Sequence, residues 1–375
     1  MAKKALVIGI NNYDGLTPGG EIGELENAVQ DAITIAALLD RHHSKDDNFA
    51  VKKIFVDRHN DYDEKTIQPV DEFTTAEFYH EINWLFSGHY ESVVLYFAGH
   101  GYRDALTQND YLITTDGTYP NYGVQLDYVL NKANNAFPNI HNCTIILDCC
   151  HSGAIGEERL LGQNISVVGR GVTILAACQA SQLAGDGAIG TNGVFTGMLR
   201  DGLLGQAGDI FGRVTPASLY NLVDQRLSPL EQRPVYKANI SSFVSLRQAK
   251  ERIKKNEVRH LIGLFENHDD NYPLGPEHER EVDRGNFAED YKDIPCDKEK
   301  FKTYRKLQAA FRLSLIEPTV PDSKPELWDE KSENAAWPPP PDGSFSMWHA
   351  AMYQTGCQLT DYGKRYWDLV QNDQL

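Results

Sequence analysis

Two short stretches constrain this chain more than any other. Thr144-Ile145-Ile146-Leu147-Asp148-Cys149-Cys150-His151-Ser152-Gly153 is an apolar run that stops abruptly at small and polar residues. Val93-Val94-Leu95-Tyr96-Phe97-Ala98 has the same form and runs into Gly99-His100-Gly101. Both read as buried strands, and the C-terminal edge of a parallel sheet is where side chains emerge to do chemistry. Side chains alternate along a strand, so Asp148 and Cys150 fall on one face and Cys149 on the other. The glycines beside His100 permit a tight turn and leave the imidazole uncrowded. Cys150 follows His100 by 50 residues. The rest of the chain is expected to bring these two strand ends together.

The remaining pattern alternates strands with helices. Apolar runs at 5–10, 51–56 and 172–176 read as strands, with a short extended piece at 111–114. Leu25, Val29, Ala32, Ala36 and Leu39 share one helical face over 24–39. Thr74 and Glu77 form a capping box ahead of Phe78, Ile82 and Leu85. Helices are also expected from Leu126 and over 195–204 and 216–227, and an edge strand over 234–240, where Pro234 stands first. Such alternation implies a largely parallel sheet covered on both faces. The composition shifts near Leu246, which divides the chain into domains 1–245 and 246–375. Beyond it, the pattern predicts a charged helix over 247–255, an amphipathic helix over 301–315, a proline-rich connection over 318–343 and a final helix capped by Thr360 or Asp361.

Composition excludes several classes. A net charge of −17 argues against a general nucleic-acid or anionic-membrane surface. Six cysteines without paired spacing argue against a disulfide framework. No apolar run reaches the roughly 20 residues that span a bilayer, and the N-terminal run is too short for a signal sequence. A cytoplasmic protein with reduced thiols is the expectation.

A thiol becomes a nucleophile when a neighbouring base or positive charge favours the thiolate. His100 can serve Cys150 in this way if the strand ends are neighbours. The backbone N–H groups of Cys150 and Gly101 would then form an oxyanion hole. Each residue alone fits a blander reading, a small core cysteine and a satisfied loop histidine; the two blocks together favour the dyad. Adjacent residues on a strand point apart, so the Asp148-Cys149-Cys150-His151 run is a poor zinc site.

The two blocks resemble the signature blocks of the caspase-like cysteine peptidases, most closely metacaspases and the bacterial orthocaspases. The resemblance extends to Leu6-Val7-Ile8-Gly9-Ile10-Asn11, Ala28-Val29-Gln30-Asp31-Ala32, Ile174-Leu175-Ala176-Ala177-Cys178-Gln179, Gly193-Val194-Phe195-Thr196 and Gln232-Arg233-Pro234. It implies a three-layer α/β caspase-like fold with a mostly parallel central sheet, and a dyad of His100 as general base and Cys150 as nucleophile. Metacaspases carry acidic residues at the positions of Asp31 and Asp148, in the pocket for the side chain before the scissile bond. Two carboxylates there favour Arg or Lys, although Asp31 also fits a helix-surface acid. Gln30 and Ala98 depart from the commoner Asn and Ser of that family. No cofactor is implied, and the sequence does not decide calcium dependence.

Arg159 and Arg170, in the loop after Cys150, are candidate self-processing sites, set against a passive surface loop. Residues 246–375 lie outside the resemblance, read as a small, mainly helical domain weakly similar to a winged helix. Its aromatics Tyr272, Trp337, Trp348, Tyr353 and Trp367, with Lys364 or Arg365, are expected either to stack on a nucleotide-like activator or to fill a small core. Family analogy places such proteins in bacterial antiviral defence or programmed cell death, with protein or peptide substrates and a small-molecule or protein trigger. The alternative is a non-catalytic or self-processing sensory scaffold.

Overall fold

The computed structural model describes residues 2–17, 20–60, 67–104, 106–107, 109–151, 168–177, 192–228, 233–321 and 345–375, with Cys150 and His151 described as backbone. The chain divides into two compact units, Met1–Arg252 and Ile253–Leu375.

The first unit is built on an eight-stranded sheet. Strands β1 (Lys3–Ile10), β2 (Ala50–Val56), β3 (Tyr90–Arg103), β4 (Asp110–Thr118), β5 (Asn121–Gln125), β6 (Ile140–His151), β7 (Val172–Ala176) and β8 (Val235–Ala238) form it. Its main path runs β8-β7-β6-β3-β1-β2, parallel throughout except for β8 at the edge. The end of β3 also pairs antiparallel with β4, which pairs with β5. The chain builds outward from β1 to β2, then returns to the other side of β1 to lay down β3. The crevice at that reversal, outside the carboxyl ends of β1 and β3, is the general ligand position of such sheets.

Both faces are covered, which is why the strands read as continuous apolar runs rather than alternating ones. On one face Leu6, Ile8, Leu95, Phe97, Leu147 and Cys149 pack under α2 (Thr75–Leu85) and α3 (Leu126–Asn134). On the other, Val7, Val94, Tyr96, Ala98 and Ile146 pack under α1 (Ala28–Asp40), α4 (Val194–Asp201) and α5 (Pro216–Arg226). Helix α2 starts with the expected capping box: Thr74 accepts from the Glu77 N–H and Glu77 from the Thr74 N–H. Its far end is closed by Lys4, a buried lysine of β1. The Lys4 ammonium donates to the Trp84 and Ser87 carbonyls at 2.6 and 2.9 Å and lies over the Tyr90 ring. A cation suits the last turn of a helix, where carbonyls lack partners.

Helix α1 rides directly on the end of β1. A Cβ on Gly9 would meet the Ala28 carbonyl oxygen at 2.6 Å and the Ala32 Cβ at 2.7 Å. That closeness fixes where the first turns of α1, and with them Asp31, come to lie.

Two expectations need correction. The charged helix over 247–255 does not form. Arg247 and Gln248 pair as a strand with Arg213 and Val214, and the buried Arg247 guanidinium donates to the Leu203 and Arg41 carbonyls. These contacts hold the segment to the first unit, so the structural division falls after Arg252 rather than at Leu246. The helix expected over 195–204 forms, running as an α-helix to Asp201 and continuing as a wider turn over Gly202–Gln206 that breaks at Gly205, φ 130°.

The second unit contains α6 (Lys255–Ile262), α7 (Lys298–Arg312), α8 (Met347–Met352) and α9 (Asp361–Gln371), capped at Thr360 as expected. Strands β9 (Asn271–Tyr272), β10 (Ile316–Pro318) and β11 (Cys357–Leu359) form an antiparallel sheet with β11 in the middle. Short 3₁₀ turns fill the stretch from Pro276 to Phe287. No helix among the described residues is long and apolar enough to cross a membrane.

The packing of α1 on Gly9 predicts that Gly9→Ala destabilises the first unit by about 1–3 kcal/mol, because helix or strand must shift. A Cβ at Gly197 in α4 meets nothing within 4 Å, so Gly197→Ala is expected to stabilise by roughly 0.5–1 kcal/mol. Denaturant midpoints of the two variants, moving in opposite directions, check the pair.

Candidate active site

The strand ends converge as the sequence reading requires. β3 and β6 are adjacent and parallel, with Ala98 opposite Asp148, Gly99 opposite Cys149, His100 opposite Cys150 and Gly101 opposite His151. Cys149 lies in the core under α2 and α3 and is only 5% exposed. Gly101 pairs with His151 on one side and Leu112 on the other, so both amides named for an oxyanion hole lie on the neighbouring strand ends.

His100 is buried at 3% exposure and held from the loop that follows β1. Its Nε2 lies 2.7 Å from the Gly23 carbonyl oxygen. A carbonyl only accepts, so Nε2 carries the proton in the neutral ring and the lone pair sits on Nδ1. The Tyr13 hydroxyl accepts from the His100 amide at 2.9 Å and donates to the Ile10 carbonyl at 3.1 Å. The Tyr13 and His100 rings lie 4.9 Å apart. A Cβ on Gly99 would stand 2.6 Å from the Tyr13 hydroxyl, so the glycine before the histidine is what lets this tyrosine in. The sequence pattern gave no role to Tyr13 or Gly23. One tyrosine in a polar loop is not a signal by itself.

Asp31 and Asp148 are brought together and share one environment. Asp31 Oδ1 accepts from Asn192 Nδ2 at 2.9 Å and from the Gly193 amide at 3.0 Å. Asp148 Oδ2 accepts from Thr196 Oγ1 at 2.6 Å. Thr196 has one hydroxyl proton and gives it to the carboxylate, so the Tyr96 hydroxyl, 2.6 Å from Thr196 Oγ1, donates to the threonine. Burial pushes the Asp31 carboxyl up to about 7, and the charge of Asp148 adds to the shift. Burial also raises Asp148, against the pull of the Thr196 bond and of the Tyr96 hydroxyl 3.5 Å away. Tyr96 is pushed far above its ordinary value, by burial first and then by the two carboxylates. Among the described residues every donor to the pair is neutral and neither acid forms an ion pair. Two acids in such a place titrate as a pair and retain charge that a cation would satisfy. Asn192, Thr196 and Tyr96 had no role in the sequence reading, although Thr196 sat inside one of its matching blocks.

The other candidates fall elsewhere. Arg159 and Trp337 lie outside the described residues. Arg170 stacks its guanidinium over Phe137, 4.3 Å from the ring centre. In the second unit the Trp348 indole donates to the Asp283 carbonyl and packs on Phe287. The Trp367 indole donates to the Phe265 carbonyl. Tyr272 packs beside Phe265 and His278, and Tyr353 against Phe287. Arg365 is exposed, and Lys364 is paired with Asp269. The two indoles are tied to separate main-chain segments and the two tyrosines to neighbouring rings. Among the described residues no group of three or more His, Cys, Asp or Glu is placed to hold a metal ion.

A family model for the caspase domain matches residues 2–245. A search of curated proteins found no match. Among solved structures, a protein from Geobacter sulfurreducens aligns at 19% identity and a TM-score of 0.45, covering 67% of this chain and 98% of its own. A pro-form of Sf caspase-1 aligns at 12% identity and a TM-score of 0.41, covering 65% of this chain and 94% of its own. The family match takes in both strand ends, both acids and the clamp around them, and through it the chain belongs to the caspase-domain family of peptidases.

Proposed function

We propose that this protein is a cysteine endopeptidase that cleaves after Arg or Lys through Cys150 and His100. The observation that carries the reading is the in-register pairing of His100 with Cys150 on adjacent parallel strands, next to a carboxylate pair that forms no ion pair among the described residues. Strand alternation puts Cys150 on the face of Asp148 and His100 on the face of Ala98, the same side of the sheet.

In the reaction, His100 Nδ1 takes the Cys150 thiol proton, and the thiolate attacks the carbonyl carbon of the scissile bond. The carbonyl oxygen becomes an oxyanion held by the amides of Gly101 and Cys150. The C–N bond breaks, and His100 passes its proton to the leaving amine. Water then adds to the thioester with His100 again accepting a proton, and the carboxylic acid leaves as Cys150 regains its hydrogen. The Gly23 carbonyl keeps Nε2 protonated throughout the approach and stabilises the imidazolium once it forms. Asp31 and Asp148 receive the guanidinium or ammonium of the residue before the cut.

Three matched fluorogenic peptides ending in Arg, Lys and Asp, assayed with and without calcium, test the reading. Cleavage is expected after Arg and Lys. Cys150→Ala and His100→Ala should each reduce kcat by about 10³-fold or more. Cleavage after Asp that needs Cys150 would keep the nucleophile and refute the acidic pocket.

The acid pair also makes a prediction about stability. Asp31 binds its proton more tightly folded than unfolded, so its favourable contribution is fully present below pH 4 and is lost as pH rises through about 7. Asp31→Asn keeps the acceptor for Asn192 and Gly193 and removes the buried charge. At pH 8 the variant should be more stable than wild type by on the order of 2 kcal/mol, with the difference vanishing near pH 4. Its kcat/KM on the Arg peptide should fall about 10- to 100-fold. Melting curves at the two pH values, set beside the kinetics, check both directions.

A further inference from the structure

The donors that hold the acid pair come from one short segment and one strand. Asn192 and Gly193 lead into α4, Thr196 stands in its first turn, and Tyr96 lies on β3. The inner face of α4 is otherwise apolar: Phe195, Met198 and Leu199 are buried beside Thr196, which is itself 0% exposed. A valine would fill that space and leave no hydroxyl to satisfy. A buried hydroxyl is retained without cost only where it is bonded, and here its one proton goes to Asp148 while it accepts from Tyr96. Among the described residues, the charged and titratable groups facing the pair include Tyr96 from β3 and, one layer further out on α4, Arg200, which reaches Asn192 Oδ1 at 3.3 Å and pairs with Asp201. Asn192 also donates to Thr34 of α1.

The two acids are therefore held unequally. Asp31 receives N–H donors at 2.9 and 3.0 Å, both on one oxygen. Asp148 receives a short O–H donor that another O–H polarises, and such chains strengthen each bond along them. We propose that Thr196 is a specificity-determining residue, holding Asp148 as the standing anion of the pocket and thereby selecting a cationic side chain over a neutral one of the same shape. This rests on the cleavage preference proposed above and deepens it.

The test compares two peptides that differ only in ending with Arg or with citrulline, its uncharged isostere. Thr196→Val should raise KM for the Arg peptide about 10- to 100-fold, the worth of one charged hydrogen bond, with kcat within about threefold. The Arg-over-citrulline preference should collapse by the same factor, and Thr196→Ser should restore it. Tyr96→Phe, which leaves the threonine in place, should weaken the preference about three- to tenfold and serves if Thr196→Val does not fold. In wild type the preference should climb as pH rises through about 7, when Asp31 gives up its proton. An unchanged preference in Thr196→Val overturns the inference and leaves the proposed cleavage standing. A wild type that prefers citrulline or Asp overturns both. If no peptide is turned over, calorimetric titration with agmatine reads the same pocket. Binding by wild type and Thr196→Ser, weakened in Thr196→Val, supports the clamp; equal binding by all three, or none by wild type, overturns it.

Discussion

The parallel ladder between β3 and β6 is the constraint on which the rest of the first unit depends. Because side chains alternate along a strand, register decides which residues meet the pocket and which meet the core. In the observed register Asp148 stands on the side of α1 and α4, while Cys149 is buried under α2 and α3. A slip of one residue would bury the carboxylate among leucines and carry Cys149 to the pocket. Burying an unpaired carboxylate costs several kcal/mol, so the polar residues themselves penalise the wrong register. Gly99 adds a steric lock, since the Tyr13 hydroxyl occupies the space a side chain would need.

Stability and chemistry are divided between opposite ends of the same sheet. At the amino end of β1, Lys4 is a buried cation met by two carbonyl acceptors and aromatic walls, and burial lowers its pKa. At the carboxyl end, Asp31 and Asp148 are buried acids whose donors among the described residues are neutral. The first arrangement closes a helix; the second raises the pKa of both acids. Unequal solvation of like charges separates their titration. The short segment from Asn192 to Thr196 matters because it touches both acids at once.

Much of this was legible in the sequence, and what was not shares a cause. Apolar runs ending in Gly99-His100-Gly101 and Asp148-Cys149-Cys150 disclosed the strands, and their chemistry pointed to the candidate site. The Thr74–Glu77 box and the Thr360 cap were readable because capping is a local code spanning three or four residues. Tyr13, Gly23, Tyr96 and Thr196 were not readable, because their roles exist only across elements far apart in the chain. Tyr96 and Thr196 are separated by 100 residues, and each alone passes for an ordinary core position. The segment from Arg247 misled for the opposite reason. Its charges suggested a solvent-facing helix, yet the Arg247 guanidinium is buried and bonded to two carbonyls.

The second unit extends that lesson. Arg284 is its largest fully buried side chain, and its guanidinium donates to the Tyr291 and Glu279 carbonyls, holding together an irregular stretch with no helical or strand period. A long cation can organise a loop from inside where no apolar stripe exists, and hydrophobic pattern is blind to that. The same holds for its tryptophans. Aromatic residues in an acidic domain suggest a stacking surface only while their polar edges are unassigned. Once the Trp348 and Trp367 indoles are seen to satisfy the Asp283 and Phe265 carbonyls, each is accounted for by the backbone it supports. A ligand there would have to be recognised by groups other than those two N–H donors, and aromatic content alone ceases to argue for one.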